Sequence, residues 1–215
     1  MPNALPRVLA DTPLGVDSAE LLKGRVELVS WNAADDGTAG RLDAIYTYGH
    51  PLVDAALIAK FPAIKVISNF GVGVDHIDVA AANARGIPVG NTPGVLDGAT
   101  ADIAFSLLLA AGRKLAEGDR YARGPDFLRY DPSYMLGREI HHATLGIVGM
   151  GRIGEQVARR ARGFDMTLLY HNRKRKPDAE AALGARYVSL DELLAQRSEE
   201  HTSELQSPYV ISYAV

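Results

Sequence analysis

Apolar and polar positions alternate along this chain in short blocks rather than long stretches. Apolar runs of strand length fall at Val8 to Ala10, Val26 to Ser30, Ala44 to Tyr48, Lys65 to Ser68 and Pro88 to Gly90. Helical spacing lies between them. From Val53 to Phe61, residues Val53, Leu57 and Ile58 share one face, and the Ala-rich stretch from Val79 to Arg85 ends at Gly86, a common helix terminator. Strand and helix in repeated order predict right-handed crossovers and a parallel sheet covered on both faces.

Near Asp97 the pattern changes. Ala99 to Leu115 predicts one long helix with Ile103, Leu107, Leu108 and Ala111 along its buried stripe. A polar stretch from Arg123 to Arg138, with Gly and Pro, reads as exposed connection. A second α/β pattern then starts, with Thr144 to Val148 as strand, Arg152 to Phe164 as helix and Met166 to Tyr170 as strand. These changes predict one domain over 1–98 and a second over 99–196. Residues 197–215 (RSEEHTSELQSPYVISYAV) break the rhythm and resemble a translated sequencing-library adapter. They are read as an artefactual tail and kept out of the fold reasoning.

Composition narrows the function classes. The chain has 215 residues, 47% hydrophobic and 23% charged, the profile of an ordinary globular protein. A net charge of -3 gives no electrostatic reason to expect nucleic acid or an anionic membrane as partner. With no cysteine, disulfides, thiolate metal sites and cysteine nucleophiles are excluded. No secretory signal pattern opens the chain, and the longest apolar stretch, Ile103 to Ala111, is too short to span a bilayer. A cytoplasmic protein is the expectation. No pair of His or acidic residues shows ligand spacing on a shared face, so no metal site is expected.

The strongest chemical signal is Gly149-x-Gly151-x-x-Gly154, with an apolar strand before it and an amphipathic helix after it. Gly149 permits the tight turn, Gly151 lets a pyrophosphate approach the backbone, and Gly154 lets helix and strand pack closely. Met150, Arg152 and Ile153 complete the turn, whose helix N-terminus presents unpaired amides to phosphates. Ile153, Val157 and Ala161 are expected to face the sheet. The alternative is a glycine turn with no ligand. At the end of the next strand an acid would select NAD through the ribose hydroxyl. Tyr170 to Lys176 reads YHNRKRK instead, with no acid before Asp178. The run Arg173, Lys174, Arg175 and Lys176 therefore suits a 2′-phosphate, with Asn172, Arg173 and Lys174 assigned to the cofactor, and NADP is preferred over NAD. A solvated basic face is the alternative.

With these residues in view, the chain resembles the D-isomer-specific 2-hydroxyacid dehydrogenases, particularly their glyoxylate and hydroxypyruvate reductase branch. The resemblance runs through NFGVGVDHID (69–78), GIPVGNTPGV (86–95), Thr100-Ala-Asp102 and the glycine turn, and covers roughly residues 7–196 in order. It implies a flavodoxin-like substrate domain followed by an incomplete Rossmann dinucleotide-binding domain, with about three of six strands present. It also implies that the amides of Val72 and Gly73 hold a substrate carboxylate, that Tyr48 and Gly49 line the pocket, and that Thr100 touches the cofactor. The implied activity is NAD(P)H-dependent reduction of a small 2-oxo acid to a D-2-hydroxy acid by a full-length, homodimeric parent. The family's catalytic Arg, Glu and His come from later segments and do not appear after Gln196. No catalytic residue is assigned, and this chain is expected to be an inactive fragment with an uncovered sheet edge. A non-catalytic, corepressor-like dinucleotide sensor and a functionless fragment remain open as alternatives.

Overall fold

The computed structural model describes residues 4–11, 14–48 and 51–196. Gly49 and the tail over 197–215 lie outside the described residues. The chain divides into two compact units, the first ending at Gly94 and the second beginning at Val95, close to the boundary of 98 read from the sequence.

The first unit is a five-stranded parallel sheet in the order β2-β1-β3-β4-β5. Its strands are β1 (Arg7–Ala10), β2 (Glu27–Ser30), β3 (Ala44–Thr47), β4 (Val66–Asn69) and β5 (Val89–Gly90). This is the flavodoxin-like doubly wound order. The register sets Val29, Leu9, Ile45, Ile67 and Val89 side by side in one row across the sheet. Leu9, Ile45 and Ile67 in that row are fully buried. Such a row is why each strand reads as a plain apolar run, since helices cover both faces of a parallel sheet.

Helices α1 (Val16–Leu22), α2 (Asn32–Asp35), α3 (Ala55–Lys60) and α4 (Val79–Ala84) connect the strands. Helix α3 begins where the Asp54 side chain accepts from the Leu57 amide, and α4 where Asp78 accepts from Ala81, both at 2.8 Å. These are N-caps that satisfy otherwise unpaired first-turn amides. Val53 and Ile58 are buried and Leu57 packs against the same core, as the spacing predicted.

The second unit opens with α5 (Asp97–Gly112) and α6 (Leu115–Arg123), followed by β6 (Thr144–Val148), α7 (Arg152–Arg162) and β7 (Thr167–His171). Helix α8 (Pro177–Leu183), β8 (Arg186–Tyr187) and α9 (Leu190–Gln196) complete it. Its three strands are parallel in the order β6-β7-β8. In the doubly wound strand order 3-2-1-4-5-6 this is the 3-2-1 half, with β6 in the first place and at the edge.

One sequence expectation fails here and another holds only in part. Ile103, Leu107 and Ala111 of α5 are exposed, and the helix buries Ala101 and Phe105 instead. The reason is that α5 is apolar nearly all round, so its periodicity carries no direction; Phe105 packs into the core beside Phe164. On α7 Ala161 is buried and Val157 packs against the core as expected, but the other fully buried positions are Gly154 and Ala158, one position round from the half-buried Ile153 and Val157. The smallest residues face the strand because the helix approaches it closely. No helix among the described residues is long and apolar enough to cross a membrane.

Candidate functional site

In the first unit the candidate site is the loop that leaves β4. Asn69, at the end of that strand, is only 2% exposed. Its Nδ2 donates to Gly71 O at 2.9 Å and to Gly73 O at 2.7 Å. Asn91 Nδ2 donates to the intervening carbonyl, Val72 O, at 2.8 Å. Three successive carbonyls are thus held by two asparagine side chains, and the Thr92 amide adds a second donor to Gly71 O. The amides of Val72 and Gly73 donate to no acceptor among the described residues. Consecutive unsatisfied N–H groups in a glycine-flanked turn form an anion-binding concavity.

Aromatic rings flank this loop. Tyr48, just beyond β3, has its ring centroid 5.6 Å from that of Phe70, and Tyr46 lies 6.2 Å from the same ring. Tyr48 is 52% exposed, so it is no core aromatic. Asp11, just beyond β1, accepts from Thr47 Oγ1 at 2.9 Å and from the Tyr48 amide at 2.7 Å, tying down the end of β3. Burial first, and then the charge of Asp11, hold the Tyr46 phenol above its ordinary pKa.

In the second unit β6 runs into the glycine turn. Gly149 has φ 101°, a conformation closed to ordinary L residues, and its amide donates to His171 O at 3.0 Å. A Cβ on Gly154 would lie 2.3 Å from Gly149 O, so only glycine permits this approach of helix to turn. The amides of Gly151, Arg152 and Ile153 have no acceptor among the described residues; the first intrahelical donor is Glu155, to Gly151 O. The N-terminal end of α7 is thereby open to an anion.

Two residues assigned to cofactor contact serve the turn's own scaffold. The Met150 side chain is fully buried, and its amide donates to Asn172 Oδ1 at 2.7 Å. Asn172 Nδ2 in turn lies 3.4 Å from Met150 O, so its amide braces the turn. Thr100 is exposed in the first turn of α5. That turn is fastened beside the glycine turn by Arg152 Nε, 3.3 Å from Asp97 Oδ2, and by Arg160 Nε, 2.7 Å from Asp102 Oδ1.

Beyond β7 the basic run divides. Arg175 makes a two-point pair with Glu180, each contact 2.7 Å, and Tyr170 Oη donates to the same carboxylate at 2.6 Å. Arg175 and Tyr170 together hold the Glu180 carboxyl down at about 2. Arg173 and Lys174 make no ion pair among the described residues and are exposed. Two surface depressions, of about 390 Å³ around Arg113 and Tyr130 and about 460 Å³ around Gly37 and Phe61, touch neither glycine segment. The candidate site residues lie instead on open strand and helix ends.

Sequence reasoning located the glycines but missed Asn69, Asn91, Asp11, Asp97, Asp102 and Arg160. All six act on atoms distant along the chain or on main-chain groups. Only the position of Asn69 at the head of the glycine loop could have marked one of them.

These features define a parallel α/β protein with a free-amide glycine loop in one unit and a dinucleotide-type strand–turn–helix in the other. Residues 105–198 match the family model of the D-isomer specific 2-hydroxyacid dehydrogenase NAD binding domain. Along most of its length the chain is similar to the D-isomer-specific 2-hydroxyacid dehydrogenases. It is 40% identical over 202 residues to a glyoxylate reductase of Thermococcus kodakarensis, covering 89% of this chain and 61% of that protein. Among solved structures, the TT0316 protein from Thermus thermophilus superposes with TM-score 0.79 at 37% identity, over 89% of this chain and 62% of that one. An NADPH-dependent glyoxylate/hydroxypyruvate reductase from Sinorhizobium meliloti, in complex with NADP and malonate, gives 0.72 at 32%, over 86% and 57%. The chain therefore spans about three-fifths of the length of the relatives it matches.

Proposed function

We propose that this chain is the carboxylate-binding and dinucleotide-binding part of a reductase that converts a small 2-oxo acid, of the glyoxylate or hydroxypyruvate kind, to a D-2-hydroxy acid. The observation that carries this reading is the pinning of three consecutive carbonyls by Asn69 and Asn91, which leaves the Val72 and Gly73 amides for a carboxylate. The glycine turn would hold the cofactor pyrophosphate at the free amides of Gly151, Arg152 and Ile153, with Thr100 close by on α5. When bound, the nicotinamide supplies the hydride. Tyr48 and Phe70 would wall the carboxylate loop with apolar surface that limits water around a small acid. The reading is of NADP in preference to NAD, because Arg173 and Lys174 are uncommitted where the adenosine ribose would lie and no acid stands there.

No described histidine is set to give a proton to the forming alkoxide. The Nε2 of His76 is shut away from solvent, and His171 Nδ1 lies 2.9 Å from Val188 O. His141 and His142 precede β6, at the opposite end of that strand from the glycine turn. The chain alone is therefore expected to bind NADPH without turnover, and the activity belongs to the longer protein in the cytoplasm. The exposed apolar side of α5 suits a homodimer contact in that protein.

The test is a fluorescence titration of the chain with NADPH and NADH. Arg173→Ala with Lys174→Ala should weaken NADPH at least tenfold and leave NADH within twofold. Equal loss for both cofactors would reject the 2′-phosphate assignment, and steady glyoxylate reduction by the 215-residue chain would reject the division of labour.

A further inference from the structure

In the second unit a cluster of metal-ligating groups stands at the end of the sheet away from the glycine turn. His141 and His142 lead into β6, and Asp165 leads into β7. The strands are parallel and pair from Thr144 with Thr167, so both lead-ins lie at the same sheet end. One ligand atom from each of His141, His142 and Asp165 lies within 4.8 Å of the other two.

Backbone geometry explains how two adjacent histidines come to act together. Successive side chains in an extended segment point to opposite sides. His142 instead has φ 62°, in the left-handed region that few non-glycine residues enter. The reversal sets the two imidazoles against each other, with ring centroids 3.6 Å apart. Asp165 is also left-handed, with φ 51°, in the turn after α7. Two main-chain bonds join the segments, His142 N to Phe164 O and Thr167 N to Ala143 O, both at 3.0 Å. The Phe164 ring, beneath this junction, packs 5.0 Å from that of Phe105. Two strained residues held side by side on a fixed frame are the kind of outlier that points to function.

We propose that His141, His142 and Asp165 form a surface site for one divalent transition-metal ion, with zinc as the chemical type. Two imidazoles and a carboxylate suit zinc, nickel or copper(II) above magnesium or calcium. Glu139 Oε1, 3.0 Å from His141 Nδ1, is placed to orient that ring as ligand-orienting carboxylates do. All three ligating residues are exposed, so the remaining coordination positions are filled by water and the ion exchanges freely. Five residues of β6 separate the cluster from the glycine turn, roughly 15 Å, so the ion would brace the sheet end and take no part in cofactor chemistry. No spacing in the sequence suggested this site, because Asp165 comes from another segment and the reversal at His142 leaves no sequence mark.

The experiment is titration of the untagged 215-residue chain with zinc chloride by calorimetry, and with cobalt(II) by visible absorption. One zinc per chain and cobalt d–d bands of an N/O-ligated ion are expected. His142→Asn and Asp165→Asn keep residues that tolerate left-handed backbone, and each should weaken zinc at least tenfold with an unchanged circular dichroism spectrum. Zinc binding absent at millimolar concentration, or binding that both variants retain, overturns the site.

Discussion

Substituting Gly154 with alanine tests the close approach of α7 to the glycine turn. The added Cβ would stand 2.3 Å from Gly149 O and 3.2 Å from Gly149 C, both main-chain atoms. To reach an ordinary contact the groups must part by about 1 Å. Gly149 cannot yield easily, since it is held at φ 101° and bonded to His171 O. The helix must move instead, and it carries Ala158 and Ala161, both fully buried. A gap of this size forfeits a sizeable part of each contact's attraction, and overpacking costs about 1–3 kcal/mol. With main chain as the obstacle, about 3 kcal/mol is expected, or roughly 10–20 °C in the melting temperature of a unit this size.

Gly118→Ala is the matched control. It lies inside α6, where an added Cβ meets nothing within 4 Å. That variant should gain roughly 0.5–1 kcal/mol from reduced backbone entropy. Urea denaturation followed by circular dichroism reads both variants. Fluorescence of Trp31, the single tryptophan, reports on the first unit separately. A Gly154→Ala chain within 0.5 kcal/mol of its parent, taken as roughly the scatter of neutral surface substitutions, would refute the reasoning and with it the close-packed turn.

Three further outcomes follow from named contacts. Asn69→Ala should destabilise the first unit by about 1–3 kcal/mol in urea, because a buried side chain loses two hydrogen bonds of roughly 0.5–1.5 kcal/mol each; it should also weaken binding of a small carboxylate at the proposed loop site, and retained binding would show that the clamp does not shape the loop. Glu180 is held at about 2 against an ordinary 4.5, so its contribution is full above pH 4.5 and disappears as pH falls through 2. Glu180→Gln should accordingly flatten the fall in melting temperature between pH 5 and pH 2.5, and an unchanged slope would exclude the Arg175–Tyr170 pairing as its source. Leu107, 51% exposed on α5, should be needed for self-association of the longer protein, so Leu107→Asp should halve the mass seen by light scattering if the dimer reading is right.

How far these features were legible depended on the kind of force that made them. The strands were legible because a row such as Leu9, Ile45 and Ile67 must be apolar at every strand it crosses. The glycine turn was legible because steric exclusion at Gly149 and Gly154 leaves one residue type. The elements α1, α2, α6, α8, β8 and α9 were not, since acidic residues interrupt the apolar pattern of each of these helices and β8 is a two-residue strand that begins with Arg186. Nor was the buried face of α5, where Phe105 and Ile103 are both apolar and only the tertiary packing of Phe105 against Phe164 separates them. The asparagine clamp belongs with these. Asn69 and Asn91 are ordinary turn residues in the sequence, and the carbonyls they hold become known only once β4 and β5 are paired. Burial and steric exclusion act on residue types and leave marks in the sequence. Hydrogen bonds to the main chain act on positions, so the residues that shape the candidate carboxylate site were the least visible part of it.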